Sequence, residues 1–99
     1  LPMSDPVTRT LTVTNSNGLH LVPCSLIART ANGFACRVQI IRDKKVADAK
    51  NIFDLMGLGA ACGTELLLSA EGDSAADAIA ALTTLFESGL ELAAKRGAE

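Results

Sequence analysis

The sequence predicts an α+β domain in which three helices lie on one side of a four-stranded antiparallel sheet. Three observations carry that prediction. Two stretches alternate apolar and polar residues with the period of two that turns one face of a strand toward a core, and two shorter ones are marked as strands by the turns that bound them. Three others repeat apolar residues at helical spacing. The segments run strand, helix, strand, strand, helix, strand, helix, so that a helix joins the first two strands and the fourth strand arrives late, as in a split β-α-β arrangement.

Residues 7–14 read VTRTLTVT, with Val7, Arg9, Leu11 and Val13 on one face and four threonines on the other, which is expected to look at solvent. A turn cluster follows at 15–18, after which Leu21, Leu26 and Ile27 fit a short helix that stops before Gly33. Phe34, Cys36, Val38 and Ile40 alternate through a second strand, 34–42, and Asp43-Lys44 is a hairpin turn into a brief third strand, 45–48. Residues 50–58 hold a helix with Ile52, Leu55 and Met56 on one face, broken by Gly57 and Gly59. Residues 64–70, TELLLSA, form the last strand. Ser74-Ala75-Ala76-Asp77 then has the S-x-x-D form of a helix start, whose hydroxyl and carboxylate are expected to satisfy free N–H groups. Ala75, Ala78, Ile79, Leu82, Leu85 and Phe86 make this the longest helix, with the tail ELAAKRGAE extending or fraying beyond it.

The chain of 99 residues suits one domain, with its core expected over 7–90. Three phenylalanines and no Trp or Tyr, within 48% hydrophobic residues, leave that core to Leu, Ile, Val and Ala. A formal net charge of -2 argues against a nucleic-acid partner, which needs clustered Lys and Arg. No apolar run reaches the roughly 18 residues of a membrane span, so no membrane insertion is expected. A cytoplasmic, monomeric protein is the expectation. Cys24, Cys36 and Cys62 are odd in number and lack C-x-x-C spacing, which suggests free thiols rather than a disulfide framework or a zinc site.

The chemistry gathers in NSNGLHLVPCSL, residues 15–26, around the only histidine, His20. An imidazole serves as base, metal ligand or nucleophile near neutral pH, and its position decides between these. His20 falls where a turn enters a helix, at a candidate N-cap. The first N–H groups of that helix, from Leu21 and Val22, have no carbonyl partner within it and attract anions, phosphate above all. Pro23 has no N–H but is well tolerated in a first helical turn. A phosphoryl acceptor and a purely structural, exposed or capping histidine are both compatible with this spacing. Cys24, four residues on, raises a Cys-His nucleophile or metal pair, but no third ligand and no orienting partner accompany it. GLGAACG, 57–63, lacks the Lys-Ser/Thr ending of a phosphate loop and precedes a strand, so it reads as loop geometry.

Taken together these segments resemble the HPr phosphocarriers of the bacterial phosphoenolpyruvate-dependent sugar phosphotransferase system, over 7–90. The resemblance rests on NGLH with Pro23 three residues beyond the histidine, Phe34, AKNIFDLMGLG and GTELLLSAEGDSAADAIAALTTLF. It implies an open-faced β-sandwich of four antiparallel strands and three helices, and no metal or organic cofactor. It further implies that His20 takes a phosphoryl group from enzyme I and hands it to an enzyme II component. Leu21 and Val22 would hold the phosphoryl group, and Leu21, Val22, Cys24, Asp54 and Met56 would dock partners.

The chain also departs from that family. Val22 stands where the family carries an arginine whose guanidinium suits phosphate. Asn51 stands where many Gram-positive relatives carry a regulatory serine, so phosphorylation there is not expected. Asp54 replaces a basic or polar residue and makes the surface less positive. The alternative reading is therefore an HPr-derived regulatory or binding module with impaired or lost phosphotransfer.

Overall fold

The computed structural model describes residues 5–90. In chain order it contains β1 (Val7–Thr12), α1 (Leu21–Asn32), β2 (Arg37–Arg42), β3 (Lys45–Asp48), α2 (Ile52–Gly57), β4 (Glu65–Glu71) and α3 (Ala75–Glu87). The strands form one antiparallel sheet in the order β1-β4-β2-β3. β4, last in sequence, is therefore central, and its Leu66, Leu68 and Ala70 join Val38, Ile40 and Ala47 on the buried face. Ile27, Leu55, Ile79, Leu82 and Phe86 cover that face from the three helices. On the other face, Thr10, Leu67, Ile41 and Val46 are register partners across all four strands, each half-buried or exposed. The sheet is open on that side.

The expected elements are all present, with shifted ends. β1 stops at Thr12, although Val13 still exchanges hydrogen bonds with the loop before β4: its N–H donates to the Thr64 carbonyl at 2.9 Å and its carbonyl accepts from Gly63 at 2.8 Å. As an edge strand, β1 buries less than its alternation suggests: Val7 and Arg9 are exposed and Leu11 is half-buried. Arg9 lies 4.0 Å from Glu87 of α3, but both side chains are solvated, so the pair contributes little. β2 begins at Arg37 rather than Phe34, because the N–H groups of Gly33 and Phe34 still donate to the carbonyls of Thr30 and Ala31. The chain extends only after those helix-end bonds are made. The hairpin turn at Asp43-Lys44 is as expected, with Arg42 opposite Lys45 and Asp43 at φ 54°.

Two helix starts behave differently. Asn51 caps α2 with its own side chain, Oδ1 accepting from the N–H groups of Phe53 at 2.9 Å and Asp54 at 3.1 Å. Ser74 precedes α3 but makes no side-chain cap, contrary to the S-x-x-D expectation. The reason is its backbone: Ser74 sits at φ 69°, whereas a capping side chain reaches the second and third N–H groups from extended geometry. The expected tail after α3 lies outside the described residues.

Replacing Asn51 with Ala removes both cap bonds and is expected to cost about 1 kcal/mol in urea unfolding, with Asn51→Asp close to wild type.

Candidate functional site at the start of α1

The loop that delivers His20 is fixed by backbone contacts. Asn15 closes the turn, its carbonyl accepting from the Gly18 N–H at 3.0 Å while its side-chain amide donates back to the Gly18 carbonyl. Gly18 has φ 70°, and a Cβ there would come 2.5 Å from the Ala60 carbonyl oxygen and 2.9 Å from the Ala61 Cα. Only glycine fits, on both conformational and steric grounds. The next N–H, from Leu19, donates to that same Ala60 oxygen at 2.8 Å, and the Leu19 side chain is buried. The loop after α2 thus clamps the residue pair just before the histidine.

His20 then occupies the N-cap of α1, in extended geometry at φ −93° and ψ −167°. Its carbonyl accepts the first helical bond, from Cys24 at 3.1 Å, but its imidazole makes no cap bond and is exposed. The ring is free for another partner. The N–H groups of Leu21 and Val22 point out of the helix start with no carbonyl ahead of them, and the first turn holds no acidic side chain. A helix of 12 residues aligns its peptide dipoles behind this end, which makes it an anion-favouring position. Leu21 is 57% exposed and Val22 39% exposed, so the histidine is bordered by apolar surface.

α2 lies alongside α1 and runs the other way. Lys50, Asn51, Ile52 and Phe53 line a groove with Ser25 from the middle of α1 and Ala28, Arg29 and Asn32 from its C-terminal half, while the chain leaving α2 reaches Ala60 beside Leu19. Met56, 40% exposed, therefore lies toward the histidine end. Asp54 is exposed, and its carboxylate accepts from the Asp48 N–H at 3.1 Å. Phe53 is 81% exposed, the most open large apolar side chain among the described residues, and the sequence reading did not single it out. The signal was available: Phe53 falls off the Ile52–Leu55 face yet is too large and apolar to be indifferent to water.

The Cys24 expectation needs correction. Its side chain is 0% exposed, and its thiol donates to the Leu19 carbonyl at 3.5 Å. Pointing inward from the helix start, it is not on the docking surface and does not form a nucleophile pair with the outward-facing His20. Burial pushes its pKa up to about 11, so it stays a thiol at neutral pH. Among the described residues no cluster of three His, Cys, Asp or Glu is placed to hold a metal ion, and no helix is long and apolar enough to cross a membrane.

Sheet, helix layer and histidine placement define an open-faced α+β domain that carries its one imidazole at the mouth of a helix. Comparison with known proteins gives the family. Residues 7–88 match the family model described as the PTS HPr component phosphorylation site. The chain is 35% identical to a phosphocarrier protein HPr of Treponema pallidum over 86% of its own length and 97% of the relative's. It also aligns with a segment of the much longer multiphosphoryl transfer protein of Rhodobacter capsulatus, 47% identical over 59% of this chain and 7% of that one. Among solved structures, HPr from Thermoanaerobacter tengcongensis superposes with a TM-score of 0.82 at 39% identity, covering 87% of this chain and 99% of that one. The chain belongs to the HPr family of phosphocarriers of the sugar phosphotransferase system.

Two outcomes test this site. Gly18→Ala is expected to destabilise by more than about 2 kcal/mol in urea unfolding, since strain and clash add. The raised Cys24 pKa has a definite sign: above pH 9 unfolding releases a proton that the folded state keeps, so stability falls as pH rises from about 9 to about 11. Between pH 8 and pH 10.5, wild type is expected to lose about 2 kcal/mol more than Cys24→Ala, by the same measurement.

Proposed function

We propose that His20 accepts a phosphoryl group from phosphorylated enzyme I and passes it to a sugar-specific enzyme II component. The observation that carries this reading is the exposed, uncapped imidazole at the N-cap of α1, beside the free N–H groups of Leu21 and Val22. An unprotonated ring nitrogen attacks the phosphorus of the donor phosphohistidine. The donor's N–P bond breaks as the new one forms, and the electron pair stays on the donor's ring, restoring its imidazole. The two N–H groups face the transferred oxygens, where charge-assisted bonds are stronger than neutral ones. The reverse geometry serves donation to the acceptor. Leu21, Val22, Met56 and Asp54 form the surface that meets either partner, and Phe53 extends it along α2.

A second reading is favoured by one observation: the side chain at position 22 is an apolar valine and supplies no donor to the phosphoryl group. On that reading the chain is an HPr-derived binding or regulatory module. Asn51, whose side chain is committed to capping α2, offers no hydroxyl for regulatory phosphorylation on either reading.

Incubation of the chain with phosphoenolpyruvate and the enzyme I of its own host, followed by intact-mass measurement, separates the two. The carrier reading expects the mass of one acid-labile phosphoryl group on wild type and none on His20→Ala. An unmodified wild type supports the binding module instead.

A further inference from the structure

We infer that the histidine site is completed in trans: the docked partner brings the cation that faces the phosphoryl group, set in an apolar surface that fits Leu21, Val22 and Met56. This rests on the carrier reading above and adds the chemistry of the partner. A phosphoryl group on His20 brings two negative charges, and the first turn of α1 answers them with two N–H groups and no charged side chain. Pro23 has no donor and the Cys24 N–H is spent on the His20 carbonyl. Among the described residues, the basic side chains on neighbouring elements are committed elsewhere: Lys50 to the Phe34 carbonyl at 2.7 Å, and Arg42 to the Leu58 carbonyl at 2.6 Å. Arg29 stands in the last turn of α1, about 13 Å of helix rise from the N-cap.

In the free protein, water supplies the remaining solvation. Docking removes it, because the rim beside His20 is Leu21, 57% exposed, and Val22, 39% exposed, with Met56 on α2. Enclosing a dianion in an apolar rim without a counter-charge is strongly unfavourable, so a productive partner must carry one. Charge complementarity thus fixes the partner's face: basic opposite His20, apolar around it. Val22 acts as a specificity residue, leaving space and charge for that group.

The test compares a donor without a protein surface with one that has it. Phosphoramidate transfers its phosphoryl group to an imidazole nitrogen as the P–N bond breaks and ammonia leaves. The probes are phosphoramidate and phosphorylated enzyme I of the host, applied to wild type, Val22→Arg and Val22→Met, the last as an uncharged control. With phosphoramidate, wild type is expected to react within about threefold of N-acetylhistidine, and Val22→Arg roughly tenfold faster than either wild type or Val22→Met. With enzyme I the order reverses, wild type being the fastest of the three, because an arginine at 22 collides with the incoming cation. Acceleration of Val22→Arg with both donors overturns the inference and makes the missing charge a simple defect. Failure of enzyme I to modify any of the three overturns the carrier reading, and the inference with it, whatever the phosphoramidate rates.

Discussion

The seam between Gly18-Leu19 and Ala60-Ala61 is the contact on which the site depends. It joins two loops far apart in sequence, and it does so through backbone: one 2.8 Å hydrogen bond and one approach too close for any Cβ. Side-chain contacts deform by changing rotamer, whereas main chain against main chain leaves little room to adjust. The seam therefore fixes the end of α1 relative to α2, and with it the angle at which His20 leaves the surface. The hydrophobic core beneath, with Ile27, Leu55 and Leu58 fully or almost fully buried, holds the two helices together but does not set that angle.

Most of the fold was legible in the sequence. Alternation in β1 and β2, the turns around β3 and β4, and helical spacing located seven elements in the right order, because burial on one face imposes those periods directly. Their ends were less legible. Phe34 belongs by pattern to β2, but helix-closing hydrogen bonds from Gly33 and Phe34 hold it outside the strand. Ser74 has a capping residue's chemistry without a capping residue's backbone, and φ cannot be read from side-chain type. In β1 the pattern overstated burial, since alternation reports which face points inward and not whether anything covers it.

The site was legible as a location more than as a surface. His20, its turn and its helix start follow from Asn17-Gly18, Pro23 and the helical spacing. The direction of Cys24 did not: four residues beyond His20 puts it one turn on in the helix, but His20 is the N-cap, extended, and its ring leaves the helix path. Hence the two side chains diverge, one into the core and the other into solvent. Phe53 was passed over for a related reason, since apolar residues are read as core until a structure shows them uncovered.

The donors that remain free at the start of α1 belong to the main chain, and this separates two kinds of inheritance. A substitution at position 21 or 22 changes the shape and polarity presented to other proteins, yet leaves each N–H where the helix puts it. Pro23, the one residue type without that group, stands immediately beyond them. A lineage can therefore exchange one set of interacting proteins for another by altering these side chains, while the atoms that favour an anion persist through the change.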